Sequence, residues 1–376
     1  MSIQPFHIDI PQAVLQDLKE RLAGTRWPDE VEGAGWDYGT NLDYLKGLVD
    51  YWQNKYDWRA QEADLNRFNQ FRANVNGTGI HFIYERGKGP NPIPIILTHG
   101  WPDSFYRFHK VIPMLTDPAG YGGDPNSSFD VIVPSIPGYG FSDRKAMTED
   151  AVADLWVKLM TEVLGYETFA AAGGDYGTLI TRSLAHNYPD LLIAIHLTDV
   201  GYPDSSTDFS TLSPAEQEFA GFIQKWWMEE GAFNMIQSTK PQSLAYGLND
   251  SPVGLAAWIL SFMNARASID LEERFTRDEL LTNIMIYWVT ETINSSIRVY
   301  YEMAHAMPAP DRGKRSSVPA AVAHMPLDAP LPREWAERNV NLKHFTEMPR
   351  GGHFAAWEVP ELYAKDLQEF FGGFRK

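Results

Sequence analysis

Four compact apolar runs limit what this chain can fold into more than any other feature. They are "NPIPIILTHG" (Asn91 to Gly100), "FDVIVPSIPGYGFS" (Phe129 to Ser142), "YETFAAAGGDYG" (Tyr166 to Gly177) and "LLIAIHLTDV" (Leu191 to Val200). Runs without polar alternation suit strands covered on both faces. Helix-period stretches fall among them, at Ala151 to Leu164 and Thr178 to Asp190. That alternation implies a mostly parallel sheet between helical layers, an α/β architecture. "GIHFIYER" (Gly79 to Arg86) alternates in polarity and adds a half-buried strand.

The period changes after Gly201. From Ser213 to Ala306 the pattern is almost wholly helical, including "GLAAWILSFMNA", and suggests a lid over the sheet. "VPAAVAHMPLD" and "LKHFTEMPRGGHF" return to strand character, and "PELYAKDLQEFF" reads as a closing helix. At the start, Val14, Leu15, Leu18 and Leu22 have helical spacing, ended by Gly24 and Pro28, and a second helix is expected around Leu42 to Trp58. The expected organisation is an N-terminal helical segment packing on the core (1–70), a first core part (71–202), a lid (203–312) and a second core part (313–376).

Composition excludes several function classes. With 44% hydrophobic residues the chain can bury a substantial core. The net charge of −17 opposes binding to nucleic acid or an anionic membrane. Cysteine is absent, which excludes disulfides, thiolate metal sites and a cysteine nucleophile. The N-terminus lacks the pattern of a signal peptide. The longest uncharged stretch, Ser251 to Ala265, is shorter than the ~20 residues of a membrane span. A cytoplasmic protein is expected. No HExxH-like ligand spacing and no phosphate-binding glycine loop is present, so neither metal nor cofactor is expected.

The third apolar run enters a turn with an acidic tip, "GGDYG". Strand, tight turn and helix, with small residues two positions either side of the tip, form the shape of a nucleophile elbow. Gly173 and Gly177 flank Asp175 in that way. The plainer reading is an aspartate capping the helix. The rest of the chain favours the elbow. Such sites take one oxyanion donor from the amide after the nucleophile, here Tyr176, and another from a loop after an earlier strand. "THGWPDS" supplies that loop, with the Trp101 amide as the candidate and His99 as its brace. Chain order then asks for an acid and a histidine. Of ten histidines, His353 alone lies late, in a glycine-rich loop before the closing helix, whereas His344 sits in the preceding strand and reads as structural. Asp328 is the favoured orienting acid, with Glu334, Glu337 and Glu347 as rivals.

A carboxylate nucleophile narrows the chemistry. It is ionised at neutral pH and needs no base for attack. Attack on an ester or amide carbonyl would give a reactive anhydride, whereas attack on an sp3 carbon gives an ordinary ester. His353 would then activate water to hydrolyse that ester. A strained epoxide and a carbon–halogen bond both meet this requirement.

"HGWPDSFYRF", "PSIPGYGFS", "GGDYG", "STKPQSLAYGLNDSPVGLAAWI" and "RGGHFAAWEVPE", with the N-terminal "RLAGTRWPD", resemble the microsomal-type epoxide hydrolases, the group that includes the juvenile-hormone epoxide hydrolases. The similarity spans nearly the whole chain. It implies an α/β-hydrolase fold, Asp175 as nucleophile, His353 as base, Asp328 as its charge partner, and hydrolysis of an apolar epoxide to a vicinal diol. Some members carry a membrane anchor; none is expected here. The resemblance also implies two lid tyrosines that donate to the epoxide oxygen. Tyr300 matches one, while neighbouring Tyr301 would point elsewhere. At the other position stands Phe233, and Tyr246 is an alternative source of the hydroxyl. Trp101, Phe233 and Tyr246 are expected to line the substrate pocket. A homodimer is compatible with the sequence. Two other readings remain: a haloalkane-type dehalogenase, disfavoured by Tyr rather than Trp at 176, and a non-catalytic homologue, disfavoured by the complete nucleophile, acid and base.

Overall fold

The computed structural model describes residues 3–204, 206–265, 270–306 and 315–375. The expected junction of lid and second core part, 312/313, lies outside the described residues. The strands are β1 (Ile3–Phe6), β2 (Gln70–Val75), β3 (Thr78–Glu85), β4 (Ile93–Thr98), β5 (Phe129–Pro134), β6 (Phe169–Gly173), β7 (Leu192–Leu197), β8 (Pro319–His324) and β9 (Asn341–Glu347). They form one sheet in the order β1-β2-β3-β5-β4-β6-β7-β8-β9. From β5 to β9 all neighbours are parallel, while β1, β2 and β3 join antiparallel at one edge. Every residue of β5 and β6 is buried, as expected for central strands covered on both faces. Edge strand β1 went unread in the sequence because four largely exposed residues carry no burial pattern.

Helices α1 (Gln12–Ala23), α2 (Leu42–Asn54) and α3 (Trp58–Leu65) lie between β1 and β2. Then come α4 (Val111–Thr116), α5 (Glu149–Lys158) and α6 (Tyr176–Asn187). Among the described residues seven helices separate β7 from β8: α7 (Pro214–Glu230), α8 (Ala232–Thr239), α9 (Pro241–Asp250), α10 (Pro252–Ala265), α11 (Leu271–Arg274), α12 (Arg277–Thr290) and α13 (Ile293–His305). The chain closes with α14 (Arg333–Asn339), α15 (Ala355–Glu358) and α16 (Pro360–Gly372).

Local chemistry sets where the inserted helices begin. Reciprocal capping boxes, Ser213 with Glu216 and Thr276 with Glu279, start α7 and α12. Helix α12 is buried on nearly every side and forms the core of the insertion. The N-terminal segment ties to this insertion as well as to the sheet. Arg21 donates to the Asp250 carbonyl at 2.7 Å, Thr40 to the Ala257 carbonyl at 2.6 Å and Tyr51 to Asp278 at 3.0 Å. It therefore straps the insertion, beyond the core packing expected of it. Among the described residues no helix is long and apolar enough to cross a membrane.

Parallel strands end at the same edge, so loops distant in sequence converge there. The loop after β4 carries Trp101, the turn after β6 carries Asp175, and Asp199 follows β7. Asp328 follows β8 and His353 follows β9.

Candidate active site

The turn between β6 and α6 holds Asp175 at φ 58°, ψ −128°, a conformation costly for a residue with a Cβ. A Cβ on Gly173 would overlap the Gly177 carbonyl, and one on Gly177 would overlap the Thr98 carbonyl. Glycine is therefore obligatory at both flanks of the tip. Asp175 stands at the N-cap position of α6, yet its side chain makes no capping hydrogen bond. It turns into the site instead. Its Oδ1 accepts from the Trp101 N–H at 3.0 Å, and its Oδ2 lies 3.2 Å from His353 Nε2.

His353 Nδ1 lies 2.9 Å from Asp328 Oδ2. A carboxylate oxygen accepts only, so Nδ1 donates its proton to Asp328, while Nε2 faces a second carboxylate oxygen and can act as a base toward water once that oxygen is engaged elsewhere. Asp328 is itself held by the Ala329 N–H on Oδ1 at 2.8 Å. The rivals lie elsewhere: Glu337 pairs with Arg333 on α14, which also carries Glu334, and Glu347 is exposed at the end of β9. His344 pairs with Asp366 of α16. His99 Nε2 accepts from the Ile136 N–H at 3.2 Å, which occupies its basic nitrogen and braces the loop.

A cavity of about 800 Å³ opens at Asp175, with Tyr176, Leu179, Phe233, Tyr300 and Met303 on its wall. Tyr300 belongs to α13 and Phe233 to α8. Their rings meet edge to face at 6.0 Å. Trp101 stacks on Phe233 at 5.8 Å, and Phe262 packs against Phe233, Trp101 and His353. Two expectations need correction. The Trp101 indole is fully buried and lies off the cavity wall; its backbone N–H is what reaches the nucleophile. Tyr246 does not approach the site at all. It is 72% exposed on α9 and faces a separate groove beside Arg21 and Trp288. Tyr301, 39% exposed, stacks on His305.

Three charged residues of the site escaped the sequence reading, Asp103 and Arg107 fully buried and Asp199 half-buried. Asp199 Oδ2 accepts from the Asp175 N–H at 3.0 Å and from the Thr178 hydroxyl at 2.8 Å, bracing the elbow from below. Burial pushes its carboxyl up, with the Asp175 charge adding to burial, against the pull of those two donors. Asp103 and Arg107 form a buried ion pair at 2.5 Å. Burial opposes the Asp103 charge, but the Arg107 cation and His99 outweigh it and hold the carboxyl below its ordinary value. One signal for Asp199 was available: an acid at the carboxyl end of the strand beside the nucleophile strand. For Asp103 and Arg107 only an i, i+4 spacing was visible, which is common on any surface.

The family model described as "Epoxide hydrolase N terminus" matches residues 3–108, and that of the alpha/beta hydrolase fold matches residues 93–245. A relative from Stigmatella aurantiaca is 42% identical over 98% of this chain and 85% of its own length. Epoxide hydrolase 1 of Sus scrofa is 36% identical over 99% of this chain and 89% of its own. The chain belongs to the epoxide hydrolase family. Its fold agrees with the crystal structure of the juvenile hormone epoxide hydrolase from the silkworm Bombyx mori, with a TM-score of 0.86, 32% identity, and cover of 100% of this chain and 94% of the other. In this epoxide hydrolase, then, the cluster at the carboxyl edge of the sheet is the candidate catalytic site. Among the described residues no group of three or more His, Asp or Glu is placed to hold a metal ion.

Proposed function

We propose that this chain opens an apolar epoxide by forming an ester on Asp175 and then hydrolyses that ester to release a vicinal diol. The observation that carries the mechanism is one contact series: Trp101 N–H to Asp175 Oδ1, and Asp175 Oδ2 facing a His353 whose other nitrogen is held by Asp328.

In the first step Oδ2 attacks an epoxide ring carbon. The carbon–oxygen ring bond breaks, and the Tyr300 hydroxyl gives its proton to the departing alkoxide. Helices α7 to α13 act as the lid that carries Tyr300 and Phe233 above the nucleophile. In the second step His353 Nε2 takes a proton from water, whose oxygen attacks Asp175 Cγ. Negative charge develops on Oδ1, where the Trp101 and Tyr176 amides receive it. Collapse releases the diol oxygen, which takes the proton from His353, and the second water proton, left on the regenerated Asp175 carboxyl, passes to the Tyr300 oxygen, so that nucleophile and donor are both restored. Asp328 supports the imidazolium between these events. Tyr300 is the one hydroxyl of the expected pair that reaches this wall, since Phe233 occupies the other place.

Tyr176, Leu179, Phe233, Tyr300 and Met303 give the cavity an aromatic and aliphatic side, which favours an apolar substrate. Mixing a His353→Gln variant with styrene oxide should leave a hydroxyalkyl ester on Asp175, seen by peptide mass spectrometry. An adduct on another residue, or none with any epoxide of a terminal, internal and aryl panel, contradicts the mechanism.

A further inference from the structure

We propose that the buried Asp103–Arg107 ion pair positions the machinery for the hydrolytic half of the reaction, holding the Trp101 amide and the His353 imidazole in one frame. This rests on the ester mechanism above. Arg107 lies in the short turn Phe105–Phe108 and is 1% exposed. Its Nη1 donates to Asp103 Oδ2 at 2.5 Å, and its Nη2 donates to the His353 carbonyl at 2.7 Å. The other oxygen, Asp103 Oδ1, accepts from the Gly100 N–H at 2.7 Å. Gly100 immediately precedes Trp101, whose own N–H holds Asp175 Oδ1. A continuous chain of hydrogen bonds therefore runs from the oxyanion loop, through the ion pair, to the base loop.

The same guanidinium underlies the elbow. A Cβ on Gly174 would come within 2.7 Å of Arg107 Nη2, and the Arg107 guanidinium stands 5.7 Å over the Phe354 ring. One cation thus touches the segments that follow β4, β6 and β9. The sheet relates β4 to β9 only through β6, β7 and β8, so small shifts at each ladder would add up between the two loops. A rigid fork that bonds both at once removes that freedom, and lysine, with one point charge, cannot reproduce it.

The two half-reactions differ in what they need. Ester formation uses the Asp175 carboxylate and a proton donor. Ester hydrolysis needs His353 to aim a water at Cγ while the Trp101 N–H receives the charge, so only this step depends on the two loops being in register. Slowing it lowers kcat and KM together and leaves kcat/KM, which reports on ester formation, nearly unchanged. Loss of correctly folded enzyme lowers kcat at constant KM.

The test compares Arg107→Lys with the charge-free pair Asp103→Asn plus Arg107→Met, which strands no buried charge. With styrene oxide, kcat should fall on the order of tenfold in the first and a hundredfold in the second. KM should fall in step, with kcat/KM held within about twofold. Rapid-quench mass spectrometry should find the Asp175 ester as the main enzyme form at steady state. A drop in kcat at constant KM without accumulated ester overturns the proposal, as does unchanged kcat. If His353→Gln also shows no ester, the ester mechanism itself has failed; if it shows one and the pair variants do not, only the positioning role has.

Discussion

At position 233 a phenylalanine removes a hydroxyl from the wall that faces Asp175. Its ring is buried to 9% exposure and lies edge to face with Tyr300. A Phe233→Tyr change adds one oxygen to a ring already seated on the cavity wall. A second donor to the leaving oxygen is worth about 1 kcal/mol, so ester formation should quicken roughly fivefold. Removing the first donor should cost far more. Tyr300→Phe is expected to lower kcat/KM for epoxides by about a hundredfold or more, the usual scale for losing a general acid. Diol release measured for both variants on one substrate checks the two directions together. A Tyr300→Phe enzyme with wild-type turnover removes Tyr300 from the mechanism, and a slower Phe233→Tyr enzyme shows that the added oxygen clashes rather than donates.

The loop from β9 to α15 is the element on which His353 depends. Arg107 holds it from the sheet side. From the insertion, Arg274 of α11 forms a two-point pair with Glu358 of α15, at 3.0 and 2.9 Å, with both side chains almost fully buried. Glu358 in turn accepts from the Phe354 N–H, the residue after the base. The pair therefore joins the helical insertion to the base loop. Arg274→Met strands the Glu358 charge in the interior and should destabilise the protein by about 3–5 kcal/mol. Chemical denaturation followed by tryptophan fluorescence measures this; a loss below about 1 kcal/mol means that water reaches Glu358 and the pair is not a clamp.

At the scale of the whole molecule, α16 is pinned across the sheet by one carboxylate. Asp366 bonds His196 of β7 at 2.7 Å, and His344 and Thr346 of β9 at 3.0 and 2.6 Å. Burial alone would raise its pKa, but the His196 hydrogen bond and charge, with Thr346 and His344, pull it well below the ordinary 3.8. A carboxyl depressed in the folded state binds its proton more readily when unfolded. Its stabilising contribution is therefore full above about pH 4 and is lost as pH falls below that value toward the folded pKa. The melting-temperature gap between wild type and Asp366→Asn should be wide at neutral pH and narrow steadily below about pH 4. A gap that stays constant down to pH 2 contradicts this assignment.

Much of this protein is legible in its residues. The unbroken apolar runs suited buried parallel strands, and the glycines around Asp175 suited a turn with no room for a Cβ, as the structure has them. Chain order led to His353 and to Asp328 over three rivals, the elbow pattern led to Asp175 and Trp101, and the structure brings these residues together because parallel strands deliver their following loops to a single edge. The helical insertion resisted such reading. Tyr300 and Tyr246 are both tyrosines on helices of similar pattern, yet one lines the cavity at Asp175 and the other is exposed on a different face. Helix period says which residues share a face but not where that face points; helix packing decides it. Three charged residues were hidden for a related reason. Asp103, Arg107 and Asp199 look like ordinary surface residues in one dimension. They become structural only when the loops after β4, β6, β7 and β9 meet, where Asp103 and Arg107 pair with each other and with the backbone, and Asp199 accepts from the Asp175 N–H and the Thr178 hydroxyl.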